Sequence, residues 1–316
     1  MSARRKIVVT GALGHIGSRL IRELPDKFPH AEILLLDDLS TQRYCSLFEL
    51  PAAGKFEFIE ADILKADLAP YLEGARAVIH LAAITNAAGS FDIAEQVEMV
   101  NFKGTERIAH ACVEAKAPLM FLSTTSVYGT QSDVVDEGCP VSDLQPQSPY
   151  AESKLKSEQL LQKLAAEAGL RHVILRLGTI FGTSIGMRFH TAINKFCWQA
   201  LTGQPITVWR TALDQKRPYL SLDDCVAAIE FVLQKDLFDG RIYNVLTLNA
   251  TVREIVELIK HHVANVQIEY VDTRIMNQLS YTVLNDRFQA LGFEFHGSLP
   301  QGIADTIALL RGIQSR

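Results

Sequence analysis

A turn with three glycines, set between an apolar run and a helical pattern, constrains this fold more than any other feature of the sequence. The apolar run over residues 6–10 predicts a strand, and the helical pattern begins at Gly14. Gly11 permits a tight turn, Gly14 lets backbone approach a pyrophosphate, and Gly17 lets helix and strand pack closely. The free N–H groups at the helix start also favour phosphate oxygens. This context on both sides of the turn predicts a dinucleotide-binding βαβ unit.

Short β-branched runs alternate with helical stretches along the chain. The predicted strands span residues 6–10, 31–37, 56–60, 76–81, 118–123, 172–177 and 242–245. The predicted helices span residues 14–24, 91–115, 150–168, 222–235 and 251–262. Such alternation implies parallel strands with right-handed crossovers. We therefore expect an α/β protein: a Rossmann-like doubly wound parallel sheet (residues 1–178 plus 221–245) with a smaller mixed α/β substrate-binding lobe (residues 179–220 plus 246–316).

Composition excludes several other classes. Of the 316 residues 48% are hydrophobic and 21% charged, as in soluble globular proteins. The formal net charge of −5 argues against a nucleic-acid partner, which usually requires a basic surface. No apolar run approaches the roughly 18–20 residues that span a membrane, and the basic N-terminus lacks the apolar core of a signal peptide. The five cysteines contain no C-x-x-C pair, so we expect no disulfide framework, no metal site and a cytoplasmic location.

Acidic residues follow the second and third predicted strands. Asp37 lies 20 residues after Gly17, where a carboxylate can bind the ribose hydroxyls of NAD and repel the 2′-phosphate of NADP. Asp37 and Asp38 could equally be solvated turn residues, but the glycine turn upstream favours ribose binding by Asp37. Asp62 and Ile63 could contact the adenine, or Asp62 could cap a helix.

Tyr150 and Lys154 lie four residues apart at the start of a predicted helix and so share one face. A tyrosine hydroxyl has a pKa of about 10 and is a poor base at neutral pH. A nearby ammonium and an oxidised nicotinamide would both stabilise the phenolate. The spacing alone is weak, and the alternative is a surface helix with a solvated lysine. The position after the fifth strand favours Tyr150 as the acid/base, with Lys154 as its partner.

Four consecutive hydroxyl side chains end the fifth predicted strand: Ser123, Thr124, Thr125 and Ser126. The carboxyl ends of parallel strands are where open α/β sheets bind ligands. One of these hydroxyls could hydrogen-bond a sugar hydroxyl and pass its proton to Tyr150. The alternative is a turn whose hydroxyls bond their own backbone.

Taken together, these segments resemble the extended short-chain dehydrogenase/reductase family, in its NAD-dependent sugar-nucleotide epimerase/dehydratase branch. The resemblance covers nearly the whole chain. The matching segments are 10–17, 37–40, 62–63, 80–83, Asn101, 123–129, 148–150 with Lys154, 175–182, 217–224 and 243–245. In this order and at this spacing they are specific for the family, and much less specific for the substrate.

The resemblance implies a role for each matched residue. Thr124, Tyr150 and Lys154 fall on the catalytic Ser/Thr, the acid/base and its partner. The implied NAD-binding residues are Gly11, Gly14, His15, Ile16, Gly17, Asp37, Asp38, Asp62, Ile63, Leu81, Ala82, Ala83, Tyr150 and Lys154. The implied substrate-binding residues are Thr85, Thr125, Ser126, Thr179, Arg188, Asn194, Arg217 and Arg274. Arg217 falls on an arginine that grips the nucleotide diphosphate, and Arg274 matches a second such arginine more loosely.

Some of these assignments leave an alternative open. Arg188 and Asn194 could meet phosphate, or they could be a surface arginine and a helix-start asparagine. Trp209 could pack on a nucleotide base or belong to the core of the lobe. The resemblance also implies NAD as the cofactor, a nucleotide-sugar substrate, and a homodimer in which helices 91–115 and 150–168 form a four-helix bundle.

The sequence departs from the 4,6-dehydratases of this family. Those enzymes carry an Asp-Glu pair directly after the catalytic threonine, whereas this chain has Thr125 and Ser126, so dehydration is not expected. The favoured function is an NAD-dependent sugar-nucleotide epimerase of carbohydrate metabolism, which acts at C4 by transient oxidation. The alternatives are a sugar-nucleotide dehydrogenase or reductase with exchanging NAD(H), and a non-catalytic NAD-binding sensor on the same fold.

Overall fold

The computed structural model describes residues 5–129, 133–210, 212–271 and 280–312. Within them the strands are β1 (Lys6–Thr10), β2 (Glu32–Asp37), β3 (Lys55–Glu60), β4 (Ala75–His80), β5 (Leu119–Thr124), β6 (Val134–Val135), β7 (His172–Leu177), β8 (Thr179–Phe181), β9 (Ile206–Trp209), β10 (Lys216–Ser221), β11 (Ile242–Val245), β12 (Leu248–Thr251), β13 (Ile268–Val271) and β14 (Thr282–Val283). The α-helices are α1 (His15–Lys27), α2 (Ala69–Leu72), α3 (Ala94–Val97), α4 (Gly104–Ala115), α5 (Pro149–Ala168), α6 (Ala192–Leu201), α7 (Leu222–Lys235), α8 (Val252–Lys260), α9 (Asp286–Gln289) and α10 (Leu299–Leu310). Turns of 3-10 helix cover Tyr44–Leu47, Gly89–Phe91, Thr125–Tyr128 and Val141–Asp143, and Glu98–Lys103 is a π-helix.

Seven strands form the central sheet, in the order β11-β7-β5-β4-β1-β2-β3. Each neighbouring pair in it is parallel. The strand order reverses at β1, which lies between β2 and β4, and such a reversal opens a crevice at the carboxyl ends of the strands. The predicted Rossmann-like α/β class is confirmed.

Apolar layers cover both faces of this sheet. Val9 belongs to one layer, together with Leu24 of α1 and Ile229 of α7. Val8 belongs to the other layer, together with Ile108 of α4. Successive side chains of a strand point to opposite faces, so an all-apolar strand such as β1 is buried on both sides.

A third apolar cluster lies beside a three-stranded sheet of order β12-β10-β8. It joins Phe196 of α6, Ile255 of α8 and Ile303 of α10. Phe288 and Phe293, from a segment that the sequence assigns to the lobe, pack instead into the core of the large sheet. The division into two domains at the stated boundaries stays a prediction.

The helix predicted over residues 91–115 is interrupted. A 3-10 turn, α3 and the π-helix precede α4. Asn101 explains the π-helix: its side chain accepts from the Ile84 N–H (2.8 Å), donates to the Ile84 carbonyl (2.9 Å) and lies 3.2 Å from the Ser153 hydroxyl. Three hydrogen bonds to distant segments stabilise a widened helical turn that local sequence does not reveal.

Short strands in the second half are missed by the sequence analysis. No strand is predicted between residues 178 and 241, yet β8, β9 and β10 lie there. Such short runs carry too little periodicity to predict. By contrast, the helix predicted to begin at residue 251 has a capping box at its start, since the side chains of Thr251 and Glu254 each bond the other's backbone N–H.

In the described part of the chain, none of the helices is both long and apolar enough to cross a membrane. Within the same ranges, no group of three or more His, Cys, Asp or Glu side chains could hold a metal ion. The cytoplasmic location stays a prediction.

Candidate active site

The phosphate-binding turn follows β1, the strand at which the order of the sheet reverses. Gly11 has a φ of +64°, and a Cβ there would lie 2.6 Å from the backbone nitrogen of Ala82. A Cβ on Gly17 would lie 2.5 Å from the carbonyl oxygen of Ala12. Neither position can take a side chain without moving backbone. The turn therefore packs against the segment that follows β4, and the start of α1 lines the crevice.

The carboxylate of Asp37 closes the turn from the end of β2. Its Oδ2 accepts the Leu13 N–H and its Oδ1 accepts the Leu39 N–H, each at 3.0 Å. Burial raises the pKa of Asp37, and these two bonds oppose the rise. Each carboxylate oxygen keeps a further lone pair for a ribose hydroxyl. Asp38 is exposed and bonds Ser40, as expected of a solvated turn residue.

A cavity of about 800 Å³ runs along the carboxyl ends of the strands. Every residue predicted to bind cofactor or substrate lines it, with two exceptions. Arg274 lies outside the described residues. Asn194 is absent from the cavity wall: its amide bonds the backbone of Gly182 and the carbonyl of Arg188, at 3.3 Å each, and braces that loop. This placement agrees with the helix-start alternative for Asn194 and gives no geometric support to substrate binding.

Tyr150 and Thr124 meet where α5 approaches the end of β5. Ser148 caps α5 by accepting a backbone N–H of the first turn at 3.2 Å, and Pro149 is its first residue. This cap places Tyr150 in the first helical turn, where its side chain lies beside Thr124. Burial raises the pKa of Tyr150, whereas the charge of Arg188 and the neighbouring Thr124 hydroxyl lower it.

Lys154 lies one helical turn after Tyr150 and is almost fully buried. Its Nζ donates to the carbonyl oxygen of Leu122 at 2.8 Å. Burial lowers the pKa of Lys154 to about 7, the Glu158 carboxylate raises it, and Arg188 lowers it further. A cation that can stabilise a phenolate near neutral pH therefore lies on the same helix as the tyrosine.

The neighbouring hydroxyls bond their own turn and also line the cavity. Thr124 Oγ1 accepts the Ser126 N–H and donates to the Ser126 hydroxyl, at 3.1 Å each. Thr125 donates to the Leu177 carbonyl at 3.2 Å and also bonds Tyr281. These side chains carry no acid group that could protonate a leaving hydroxyl at neutral pH.

A loop formed by residues 184–188, here the 184–188 loop, lies directly on the phosphate-binding turn. The Gly186 N–H donates to the Ser18 hydroxyl at 3.0 Å. A Cβ on Gly186 would lie 2.5 Å from the carbonyl oxygen of Leu13. The Ser184 hydroxyl is 2.7 Å from Nδ1 of His15. Segments that are remote in sequence are therefore in backbone contact over the start of α1.

Arg188 ends this loop beside the proton-transfer residues. It is half-buried, and its Nη1 bonds the Thr85 hydroxyl. Its Nε is buried without a hydrogen-bond partner among the described residues. Burial lowers the pKa of Arg188 to about 10, and Tyr150 opposes that fall. A charged guanidinium with an unsatisfied buried N–H suits an anionic ligand, which agrees with the ligand-binding alternative for Arg188.

The residues around the turn fit a dinucleotide. His15 Nε2 is another buried polar atom that has no partner within the described ranges. Burial, aided by Arg188, lowers the pKa of His15 to about 3, so the ring is neutral. The free N–H groups of α1 and this ring nitrogen would hold a diphosphate, Asp37 a ribose, and Lys154 the second ribose.

Several cavity residues were missed by the sequence analysis. Arg43, His190, Lys195 and Tyr281 line the wall. The predicted diphosphate ligand Arg217 lies over the Tyr281 ring, with 5.2 Å from the guanidinium carbon to the ring centre. No local motif marks these positions, because distant segments bring them together. Trp209 also lines the cavity, which agrees with the base-packing alternative.

Comparison with known proteins agrees with this geometry. Residues 7–245 match the sequence model of the NAD dependent epimerase/dehydratase family. The chain belongs to this family. It is 31% identical over 317 residues to an uncharacterised UDP-glucose epimerase, YtcB, of Bacillus subtilis, and the match covers 98% of each chain.

Other members of the epimerase/dehydratase family differ in activity. The dTDP-D-glucose 4,6-dehydratase of Bos taurus is 29% identical over 328 residues, which cover 98% of this chain and 90% of that one. The UDP-glucuronic acid 4-epimerase of Bacillus cereus, solved with UDP-glucuronic acid and NAD, has a TM-score of 0.86 and 26% identity, covering 97% and 99%. The predicted family, the enzyme class and NAD as its cofactor are confirmed.

Proposed function

We propose that this enzyme is a sugar-nucleotide epimerase that inverts C4 of the sugar by transient oxidation. One observation carries the proposal: Tyr150, with Thr124 and Lys154 beside it, lines the same cavity as the phosphate-binding turn. Positions Thr125 and Ser126 lack the carboxyl groups that dehydration requires of this region. Oxidation and reduction at one carbon is therefore the chemistry that these side chains can support.

The residues divide the proton transfer among them. Tyr150, as phenolate, takes the proton of the sugar hydroxyl, and Thr124 holds that hydroxyl in line. Lys154 stabilises the phenolate charge. The phosphate-binding turn and Asp37 would hold NAD, which would supply the hydride chemistry at the same carbon. Tyr150 gives the proton back when the ketone is reduced on its opposite face.

An epimerase keeps the reduced cofactor until the sugar has turned over, whereas a dehydrogenase releases it in every cycle. The proposed epimerase activity therefore requires that NAD stays bound between turnovers. The 184–188 loop braces the start of α1 through the contacts of Gly186 with Leu13 and Ser18.

We further infer that the sugar carries a carboxylate. Arg188 acts on Tyr150, at the sugar end of the cavity, and its Nε lacks a partner among the described residues. A planar guanidinium pairs with a carboxylate through two parallel hydrogen bonds. Arg217, stacked on Tyr281, remains as the candidate for the diphosphate. The Bacillus cereus neighbour, solved with UDP-glucuronic acid, supports this substrate class.

The experiment uses UDP-glucuronic acid and UDP-glucose, each deuterated at C4. The expected product is the C4 epimer with its deuterium retained, without free NADH, and formed faster from the acidic sugar. Net NADH accumulation, or a product that has lost water, would contradict the epimerase. Faster turnover of UDP-glucose contradicts only the carboxylate inference, which Arg188→Met should confirm by raising KM at least about tenfold for the acidic sugar alone.

We also propose the homodimer that the family resemblance implies, formed through the α3–α4 region and α5. Met99 and Ile93, near the start of that region, are 50% and 40% exposed. Lys156 of α5 pairs with Glu98 at 3.0 Å and joins the two segments at the surface. Light scattering that finds only monomers at micromolar concentration contradicts this assembly.

A further inference from the structure

A buried ion pair lies behind the wall of the cavity, between α5 and β7. Arg176 Nη2 and Glu158 Oε2 are 2.6 Å apart, and each side chain is 3% exposed. Arg176 Nε lies 3.0 and 3.2 Å from the two carboxylate oxygens. The Ser123 hydroxyl also donates to Glu158. Neither member of the pair belongs to the cavity lining, so neither is placed to touch a ligand.

The pair is coupled to the catalytic lysine by its place in the fold. Lys154 and Glu158 lie four residues apart on α5 and therefore share a face. Consecutive residues of β5 hold them, since Lys154 bonds the Leu122 carbonyl and Glu158 bonds the Ser123 hydroxyl. The carboxylate thus has one fixed position relative to the ammonium.

The other groups around Lys154 do not supply a negative charge. His80 of β4 is neutral, because burial and the lysine itself lower its pKa to about 3. Arg188 is a cation, and Tyr150 becomes an anion only after it has lost its proton. Among the described groups that act on Lys154, Glu158 is the only standing anion.

Arg176 stabilises the buried Glu158 carboxylate. A lone buried carboxylate is costly, whereas a bidentate pair with a guanidinium satisfies it. The Arg176 guanidinium carbon lies 4.8 Å from the centre of the Tyr128 ring. Glu158 raises the pKa of Lys154 in spite of its pairing with Arg176, so the pair acts on Lys154 through its negative end.

We propose that Glu158 is a positioning residue for this reaction: paired with Arg176, it keeps Lys154 charged and in place, and thereby sets the pH at which Tyr150 can accept a proton. The inference rests on the proposed roles of Tyr150 and Lys154, and it is independent of the sugar. It makes Glu158 and Arg176 functional in spite of their distance from the ligands.

The test follows the ionisation of Tyr150 through the ultraviolet absorbance of its phenolate in the NAD-loaded protein, with Tyr150→Phe as the blank. Glu158→Gln removes the anion and leaves Arg176 as a second buried cation. Lys154 then loses its proton at lower pH, and the Tyr150 titration moves up by about one pH unit or more. In Arg176→Gln the carboxylate is less stable but keeps the Lys154 ammonium and the Ser123 hydroxyl as neighbours, so the Tyr150 titration should rise by less than in Glu158→Gln.

The double variant Glu158→Gln/Arg176→Gln covers the case in which the single variants do not fold, because it leaves no unpaired buried charge. It should still raise the Tyr150 titration, by less than Glu158→Gln. Glu167→Gln is the matched control, since Glu167 pairs with Lys163 at the same spacing on the exposed side of α5. It should leave the titration unchanged.

Two results overturn the proposal. One is an unchanged titration in the double variant. The other is an upward shift in Arg176→Gln as large as that in Glu158→Gln, because loosened packing moves both variants in one direction. No sugar enters the measurement, so failure here is distinguishable from failure of the proposed epimerase activity.

Discussion

The two halves of the cavity are built in different ways. The cofactor half consists of the turn after β1 and the residues that follow β2, β3 and β4, all within residues 11–83. The substrate half consists of side chains on the 184–188 loop, on β9 and β10, and at Tyr281. The first is shaped mainly by backbone, so a short motif predicts it. The second is shaped by side chains that meet only after distant segments have packed.

The largest expected effect tests whether turnover can be lost while NAD binding in the cofactor half is kept. Tyr150→Phe removes the acid/base but leaves the turn intact, so turnover should fall by about 10²–10⁴-fold while the NAD content of the purified protein stays the same. Tyr128→Phe is the control, because the Tyr128 hydroxyl bonds Asn244 in the interior at 2.8 Å. Unchanged turnover in Tyr150→Phe would refute the acid/base assignment, and loss of NAD would show that the halves are not separable.

The next effect tests whether backbone shapes the cofactor half. Gly11 and Gly169 have nearly the same φ, +64° and +68°, but only Gly11 has atoms within 4 Å of a built Cβ. Gly169→Ala should lower the free energy of unfolding by about 1–2 kcal/mol, the cost of the left-handed conformation. Gly11→Ala adds a clash with backbone and should lower the free energy of unfolding by about 3–5 kcal/mol. It should also remove bound NAD. If urea denaturation gave the same loss in free energy of unfolding for both variants, the close approach of backbone to Gly11 would not contribute to stability.

The contrast between the two halves also explains which features could be predicted from the sequence. Asp37 was predicted because its spacing from the glycine turn reflects one βαβ unit, and the structure places it at that turn. Asn194, for which the sequence leaves substrate binding and a helix-start role open, braces a loop in the structure, and its choice of partner depends on where that loop lies. The contact of Gly186 with Leu13 joins segments far apart in the chain, and no periodicity or motif encodes such an approach.

A smaller effect concerns the choice between NAD and NADP. Asp37→Asn keeps an acceptor for the ribose but removes the charge that repels a 2′-phosphate. The ratio of NADP to NAD affinity should rise about tenfold, or about 1.4 kcal/mol, as measured by calorimetric titration. Asp38→Asn, on the exposed neighbour, serves as the control. An equal change of this ratio in both variants would show that the negative charge of the turn as a whole, and not Asp37 in particular, selects NAD.

The smallest expected effect concerns the stability of the fold and should change neither half of the cavity. Glu230 of α7 is 5% exposed, and burial, aided by Glu23, raises its pKa from 4.5 to about 7. Between pH 4.5 and about 7 the folded state therefore keeps a proton that the unfolded state has released. The free energy of unfolding falls as pH rises through this range and is constant at higher pH. Glu230→Gln should remove that slope and add about 1 kcal/mol at pH values near 8. Thermal unfolding across pH checks this, and an unchanged slope contradicts it.

The 184–188 loop has one more consequence, and it is thermodynamic. One short segment touches the phosphate-binding turn through Ser184 and Gly186 and reaches the sugar end through Arg188. A ligand that orders this segment from either side lowers the entropic cost for the other. Linkage then requires reciprocity: the factor by which NAD tightens the sugar nucleotide equals the factor by which the sugar nucleotide tightens NAD. Calorimetric titrations in both orders of addition measure this shared factor, and a value of one would show that the loop transmits nothing.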